Sequence, residues 1–314
     1  MTSTATAARP VTPTPTRRRK RTVLQKMRRE WSAYLFLSPG LILFSLFTVF
    51  ALLFALYLTF HEWNIIGTDR PFIGLQNYQR MFADEDFRQS VINTAYYTGA
   101  SVPLTMGIGL LIALLLNQPI RGRGLLRTLY FMPVVTPFVV VAIIWKWLYN
   151  GDFGLFNYYL LKLHLIDNPL LWLSDKQLAM PAVILMSVWS GVGFSMIVYL
   201  AGLQGIPAEL HEAARVDGAG PFQRLRHVTI PMLAPTTLFL LVMGIVGSFQ
   251  VFTQIFVMTS GGPVKRTTTM VYYIYESAFK FYEMGYASTL AFGLFALLFV
   301  FTLIQLRLYR RSNS

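Results

Sequence analysis

A bilayer core is about 30 Å thick, and a helix needs roughly 20 mostly apolar residues to cross it. Six such runs fill most of this 314-residue chain: 33–60, 93–116, 131–148, 178–203, 236–258 and 287–305. Pro39, Pro103, Pro133, Pro137, Gly107, Gly109, Gly191 and Gly193 fall inside them. Membrane helices tolerate such residues because neighbouring helices re-satisfy the freed backbone and small residues allow close packing. Charged residues make up 13% of the chain and hydrophobic ones 54%, where soluble domains carry about 25% charge. The reading is therefore an all-α, polytopic membrane protein with six transmembrane helices. A soluble enzyme and a disordered chain lack this composition, and with no cysteine a disulfide-stapled domain is excluded.

The formal charge of +13 then acquires a meaning. Residues 1–30 are rich in Thr, Ala and Pro and end in Arg17, Arg18, Arg19, Lys20, Arg21, Lys26, Arg28 and Arg29. They read as a disordered basic cytoplasmic tail ahead of a transmembrane domain over 31–314, with the first helix retained rather than cleaved as a signal peptide. With six spans both termini share one side. The tail, the loop with Arg121, Arg123 and Arg127, the loop with Arg215, Arg224 and Arg226, and the C-terminal Arg307, Arg310 and Arg311 lie there, with only four acids. The opposite side holds more acids than bases. This positive-inside bias puts both termini in the cytoplasm. Topology accounts for the charge, the basic tail can grip anionic headgroups, and no nucleic-acid partner is needed. Trp31, Trp63, Trp145, Trp147 and Trp172 near span ends fit an aromatic belt.

The spans lack Asp, Glu and His, the groups that ion-coupled transporters and membrane enzymes keep at depth. Lys146, between Trp145 and Trp147, reads as a snorkelling lysine. The histidines show no metal-ligand spacing, so no metal site and no catalytic residues are assigned. No lysine is followed by Ser or Thr, so a phosphate-binding P-loop is missing as well. ATP-driven work would need a partner chain.

The loop over 204–235 carries the sharpest signal. Pro207 suits the first turn of a short helix, Gly218 a left-handed stop, and Pro221 a second helix that should end near Pro231. Leu210, Ala213 and Ala214 share one face; Phe222 and Leu225 share another. Glu212-Ala213-Ala214, then Gly218, then Val228, Ile230 and Pro231 resemble the E-A-A-x3-G-x9-I-x-L-P loop of binding-protein-dependent ABC importer permeases, with Val and Ile as conservative departures. FLSPGLILF (36–44), FIGLQNYQRMFADEDFRQSVINT (72–94), FMPVV (131–135), GDFGLFN (151–157), TSGGPVKRTTTMVYYIYESAF (259–279) and GYAS (285–288) are similar to carbohydrate-uptake permeases. The Gly261-Gly262-Pro263 stretch is similar to the first of the two permease subunits of maltose or glycerol-phosphate systems.

The resemblance implies a type I ABC importer permease fold in a bacterial or archaeal cytoplasmic membrane. It implies four kinds of partner: a second EAA-type permease subunit in a heterodimer, a cytoplasmic ATPase dimer, an extracytoplasmic solute-binding protein and a sugar substrate. This chain would hold no cofactor, with ATP and Mg on the ATPase. Glu212, Ala213, Ala214, Asp217, Gly218, Val228, Ile230 and Pro231 would make the ATPase-coupling loop, Glu212 offering a carboxylate to an arginine. The loops 63–90, 150–176 and 259–286 would receive the binding protein, since none is long enough to fold as a capture domain. A sugar needs hydrogen-bond partners and flat apolar faces rather than charge. The fourth span offers Ser187, Gly191 and Phe194 on one face; the fifth offers Gly244, Gly247, Ser248 and Val251, with Gln250 and Gln254 adjacent. These nine are the expected substrate path; helix packing is the competing use of such small residues. Two alternatives stand: a permease of the same fold for a polyol or glycerol phosphate, and a membrane-embedded glycosyl transferase, for which the sequence offers only scattered acids.

Overall fold

The computed structural model describes residues 31–312; the Thr/Pro-rich tail and its basic cluster lie outside them. Apart from two isolated bridges, His61–Phe72 and Asn64–Glu283, the regular structure among the described residues is helical. The chain divides into two units at residue 54. In the first, helix α1 (Trp31–Phe44) runs into a π-helical turn, Ser45–Phe50. Pro39 supplies no N–H to the Leu35 carbonyl, and the Ser38 hydroxyl donates to that oxygen instead at 2.7 Å. Its large apolar side chains are exposed, Phe36 by 87%, as a lipid-facing helix requires.

The second unit begins inside α2 (Ala51–Thr59) and continues through α3 (Gln76–Ala83), α4 (Glu85–Leu116), α5 (Arg123–Val135), α6 (Phe138–Leu148), α7 (Leu155–Lys162) and α8 (Ala179–Gln204). After these come α9 (Ala208–Val216), α10 (Pro221–Arg224), α11 (Ile230–Met232), α12 (Ala234–Phe249), α13 (Thr253–Met258), α14 (Met270–Tyr275) and α15 (Met284–Ser312). Helix α8 is the axis of the core: 16 of its 26 residues are buried. Neighbours approach it through missing side chains. A Cβ on Gly193 would stand 2.1 Å from the Tyr130 carbonyl oxygen of α5, one on Gly109 of α4 2.6 Å from the Ser195 Cβ, and one on Gly202 2.7 Å from the Thr236 Oγ1 of α12. These glycines are packing devices.

Among the described residues, four helices are long and apolar enough to cross a membrane: Leu35–Thr59, Glu85–Leu116, Ala179–Gln204 and Met284–Gln305. Two expected spans differ from the straight rods that hydropathy suggests. The third is a pair, α5 and α6, bent by 98° at Thr136-Pro137. Pro137 forces the preceding residue out of the helical region, and Thr136 is extended at ψ 132°. The fifth is also broken. Pro221–Met232 meets α12 at a 62° bend beside Leu233, and α12 stops at Phe249 before the short α13. Counting each bent pair as one span gives six. Lys146 also finds a defined partner, its Nζ donating to the Val257 carbonyl in the last turn of α13 at 3.2 Å, where a cation suits the helix end.

Candidate functional sites

A cavity of about 480 Å³ opens among α4, α8, α12 and the break after α12, within the few hundred cubic ångströms usual for small-molecule sites. Ser187, Gly191, Phe194, Gly244, Gly247, Ser248, Gln250, Val251 and Gln254 all line it. The neighbouring Trp189 and Ser190 do not. The glycines differ in what surrounds them. A Cβ on Gly247 would meet nothing within 4 Å, so this position faces open space. Gly191 and Gly244 would meet Thr105 at 3.2 Å and Val102 at 3.1 Å, and serve both packing and lining.

The wall contributed by α4 escaped the sequence reading. Tyr97, Ser101 and Thr105 line the cavity. Their spacing of four places them on one face of α4, and that polar stripe was the available signal. The hydroxyls differ in how they are engaged: Ser187 donates to the Val183 carbonyl at 2.9 Å and Ser248 to Thr98 Oγ1 at 2.9 Å, while Gln254, 9% exposed, makes no hydrogen bond to the described residues. An amide that lines a cavity without a protein partner is free to hydrogen-bond a polar ligand. No Asp, Glu, His, Lys or Arg belongs to the lining. At Gln250–Phe252 the backbone leaves the helix, with Phe252 at φ −136° and ψ −58°. Non-helical backbone in an apolar span is tolerated where it lines a cavity or is buried in protein.

The loop over 204–235 forms a second site, a helical hairpin. Pro207 is the N-cap of α9 and Pro221 the first residue of α10. Gly218 takes φ +79°, which lets its N–H bond the Arg215 carbonyl at 3.0 Å while Ala219 N–H bonds the Ala214 carbonyl at 2.9 Å. That pair of bonds is a Schellman stop, and it is the reason a glycine must stand four residues after Ala214. The second arm ends near Pro231 as expected, at Met232; on the way it winds through a π turn, Leu225–Thr229, and carries Pro231 inside α11. Proline has no N–H to close the normal ladder, and a wider turn just before it absorbs the loss. Nothing in α9 is buried; Glu212, Ala213 and Asp217 are exposed, and Val216 and Phe222 lie bare beside them. Val228 is half-buried, Ile230 and Pro231 exposed. The structure thus gathers the eight predicted residues on one hairpin.

A third group of side chains locks the N-terminus of α4. Asp84 caps that helix, accepting from the Asp86 N–H at 2.9 Å, from the Tyr273 hydroxyl at 2.5 Å and from the Tyr286 hydroxyl. Arg80 pairs with Glu283 at 2.7 Å, and Lys265 with Asp86. Burial opposes the Asp84 charge, but the two tyrosine hydroxyls and the backbone N–H groups outweigh it and hold its pKa below the ordinary 3.8. Because the folded value is depressed, this contribution to stability is present above the unfolded pKa and is lost as pH falls through the folded one. Asp84→Asn is therefore expected to lower the melting temperature of the detergent-solubilised chain at pH 7. The gap to wild type should narrow as the pH is taken below the ordinary 3.8 and through the depressed folded value; equal melting at pH 7 would remove Asp84 from this role.

Residues 105–314 match the family described as binding-protein-dependent transport system inner membrane component. Over 283 residues the chain is 34% identical to the probable ABC transporter permease protein YurN of Bacillus subtilis, covering 90% of this chain and 97% of that protein. Over 288 residues it is 33% identical to the trehalose/maltose transport system permease protein MalF of Thermococcus litoralis, covering 91% and 96%. Among solved structures it superposes with TM-score 0.79 and 25% identity, over 93% of this chain and 98% of the other, on a chain of a bacterial alginate ABC transporter in complex with alginate pentasaccharide-bound periplasmic protein.

Proposed function

The chain belongs to the family of binding-protein-dependent transport system inner membrane components, and from that membership we propose that it is one of two permease subunits of an ATP-driven sugar importer. It is a multi-pass membrane protein. Both termini and the 204–235 hairpin face the cytoplasm, where the excess of Arg and Lys lies. A second permease chain completes the path, a cytoplasmic ATPase dimer receives the hairpin, and an extracytoplasmic binding protein delivers the sugar. ATP and Mg act on the ATPase, and this chain carries no catalytic residue, metal or cofactor of its own.

The observation that carries the reading is the cavity. Its polar equipment is hydroxyl and amide, its remaining walls are aromatic, aliphatic, methionine and glycine, and it holds no formal charge. That chemistry matches a neutral carbohydrate, with hydroxyls to satisfy and flat C–H faces to cover. An anion such as glycerol phosphate would find no cation there. Of the relatives, one is named for the neutral sugars trehalose and maltose; the alginate transporter, solved with an oligosaccharide-bound partner, supports carbohydrate as the substrate class, though alginate itself is acidic.

The hairpin supports the energy-coupling half of the proposal. It presents a carboxylate and small and apolar side chains at the end of a helix that the Gly218 stop holds to a fixed length. Closure of the ATPase dimer would carry such a hairpin with it and shift the spans between inward- and outward-open states.

The test begins with the cognate binding protein, screened by thermal shift against neutral sugars, sugar acids, polyols and amino acids to find the substrate. Uptake of that substrate is then measured in cells carrying the whole transporter. Gln254→Leu is expected to raise the KM for uptake about tenfold, the worth of one hydrogen bond to a desolvated polar group, with ATPase activity retained. A transporter that moves only amino acids, or a Gln254→Leu variant with unchanged KM, would overturn the assignment of this cavity to sugar.

A further inference from the structure

The strap over 259–280 has no part in the path described above, yet it buries a run of three consecutive threonines. Thr267, Thr268 and Thr269 are all buried, at 0%, 2% and 0% exposure. Two of them serve their own turn, Thr267 donating to the Gly262 carbonyl at 2.6 Å and Thr268 to the Gly261 carbonyl at 3.1 Å. Gly261 stands at φ +80°, and a Cβ there would lie 2.6 Å from the Tyr272 ring, which accounts for one glycine of the Gly-Gly-Pro stretch. Helix α4 holds the strap from the other side. The Asn93 amide donates to the Lys265 and Thr268 carbonyls at 2.8 Å each, and the Met270 N–H donates to Thr94 Oγ1 at 3.0 Å.

Thr269 behaves differently from its neighbours. It is the N-cap of α14, where a threonine hydroxyl ordinarily accepts from the first free amides of its own helix. It makes no such capping bond. Its Oγ1 donates instead to the Val251 carbonyl at 3.0 Å, 18 residues away in sequence. Val251 lies in the break between α12 and α13, flanked by the cavity residues Gln250 and Gln254. The break takes this carbonyl out of the helical ladder, and no other hydrogen bond reaches it from the described residues. A buried carbonyl must be satisfied, and the strap supplies what the interrupted helix no longer can.

We infer that Thr269 is a positioning residue for the transport path: its hydroxyl holds the break open at Val251 and so sets where Gln250 and Gln254 point. The inference rests on the reading of the cavity as the path. Thr269 touches the cavity only through Val251. Without its hydroxyl, the cheapest way to satisfy the Val251 carbonyl is to wind α12 onward toward α13, and that rotates both glutamines relative to the other walls.

Since the chain has no cysteine, Gln250→Cys introduces a single thiol. Its rate of labelling by a membrane-impermeant maleimide is followed on the band of this chain, in inside-out vesicles from cells expressing the whole transporter. Thr269→Val keeps the shape and deletes the hydroxyl, and it is expected to change the rate about fivefold, the value of one hydrogen bond. Thr269→Ser should restore the wild-type rate. Thr267→Val, an equal loss of a buried hydroxyl from the same strap, should leave the rate unchanged. Should Thr269→Val fail to accumulate, Thr269→Ala is read in its place. Equal labelling in the Thr269 variants and wild type, a serine that behaves as valine does, or an equal shift in Thr267→Val would overturn the inference. A thiol at 250 that the reagent never reaches would instead count against the cavity as a path, which separates the two failures.

Discussion

Glu212→Lys is expected to reduce uptake by the assembled transporter more than a hundredfold while the chain still inserts and accumulates. Glu212 is exposed on α9 and makes no hydrogen bond or ion pair within the described residues, so reversing its charge breaks nothing inside the chain. Its effect falls on whatever the hairpin meets. A carboxylate facing an arginine contributes a charge-assisted bond, and a lysine in its place sets like charges together at a cost of several kcal/mol. Two readouts separate the outcomes. Uptake in cells should vanish, and the ATPase should either fail to co-purify with the membrane subunits or hydrolyse ATP without transport. Glu212→Gln, which keeps the shape and removes only the charge, should fall between. Uptake by Glu212→Lys within twofold of wild type would show that the hairpin does not use this carboxylate.

The second large effect belongs to Gly193. Its added methyl would sit 2.1 Å from a backbone carbonyl oxygen and 3.0 Å from that carbonyl's carbon. A flexible side chain could swing away; a helix backbone cannot. Gly193→Ala should therefore push α5 off α8 and destabilise the chain by about 3 kcal/mol or more, at the upper end of what overpacking costs. The measurement is the melting temperature of the detergent-solubilised chain, with expression level beside it. Gly247→Ala is the matched control, because the same methyl there meets only open space. If the two variants melt together, the α5–α8 crossing is looser than described.

The contrast between these glycines shows where sequence reading stops. Both stand in apolar runs, both have small or apolar neighbours, and nothing local separates a glycine that admits a carbonyl from one that lines a cavity. The hairpin was legible because its signals are local: Pro207, Gly218 and Pro221 each dictate backbone conformation at their own position. Six of the expected path residues share helix faces within α8 and α12, and Gln250, Val251 and Gln254 follow directly after α12; the structure brings all nine to one cavity. Tyr97, Ser101 and Thr105 could have been found by the same periodic argument applied to α4. The break at Gln250–Phe252 could not. No proline or glycine marks it, and the Thr269 hydroxyl that satisfies it lies beyond a turn of long-range geometry. The bend at Pro137 stands between these cases. The residue was visible, but a proline alone does not say whether a membrane helix kinks slightly or turns through a right angle.

The small-residue seams around α8 also constrain how the molecule can move. Where a single methyl would already collide, neither helix can roll about its own axis or slide along its partner without separating entirely. At Gly109, Gly193 and Gly202, α8 is keyed in this way to α4, α5 and α12. Those segments are therefore packed as a single block, and the backbone interruptions that border it include Thr136-Pro137, Leu233 and Gln250–Phe252. Joints of this kind and one block make a linkage with few degrees of freedom, so a displacement entering at one end arrives at the other with little lost to internal give.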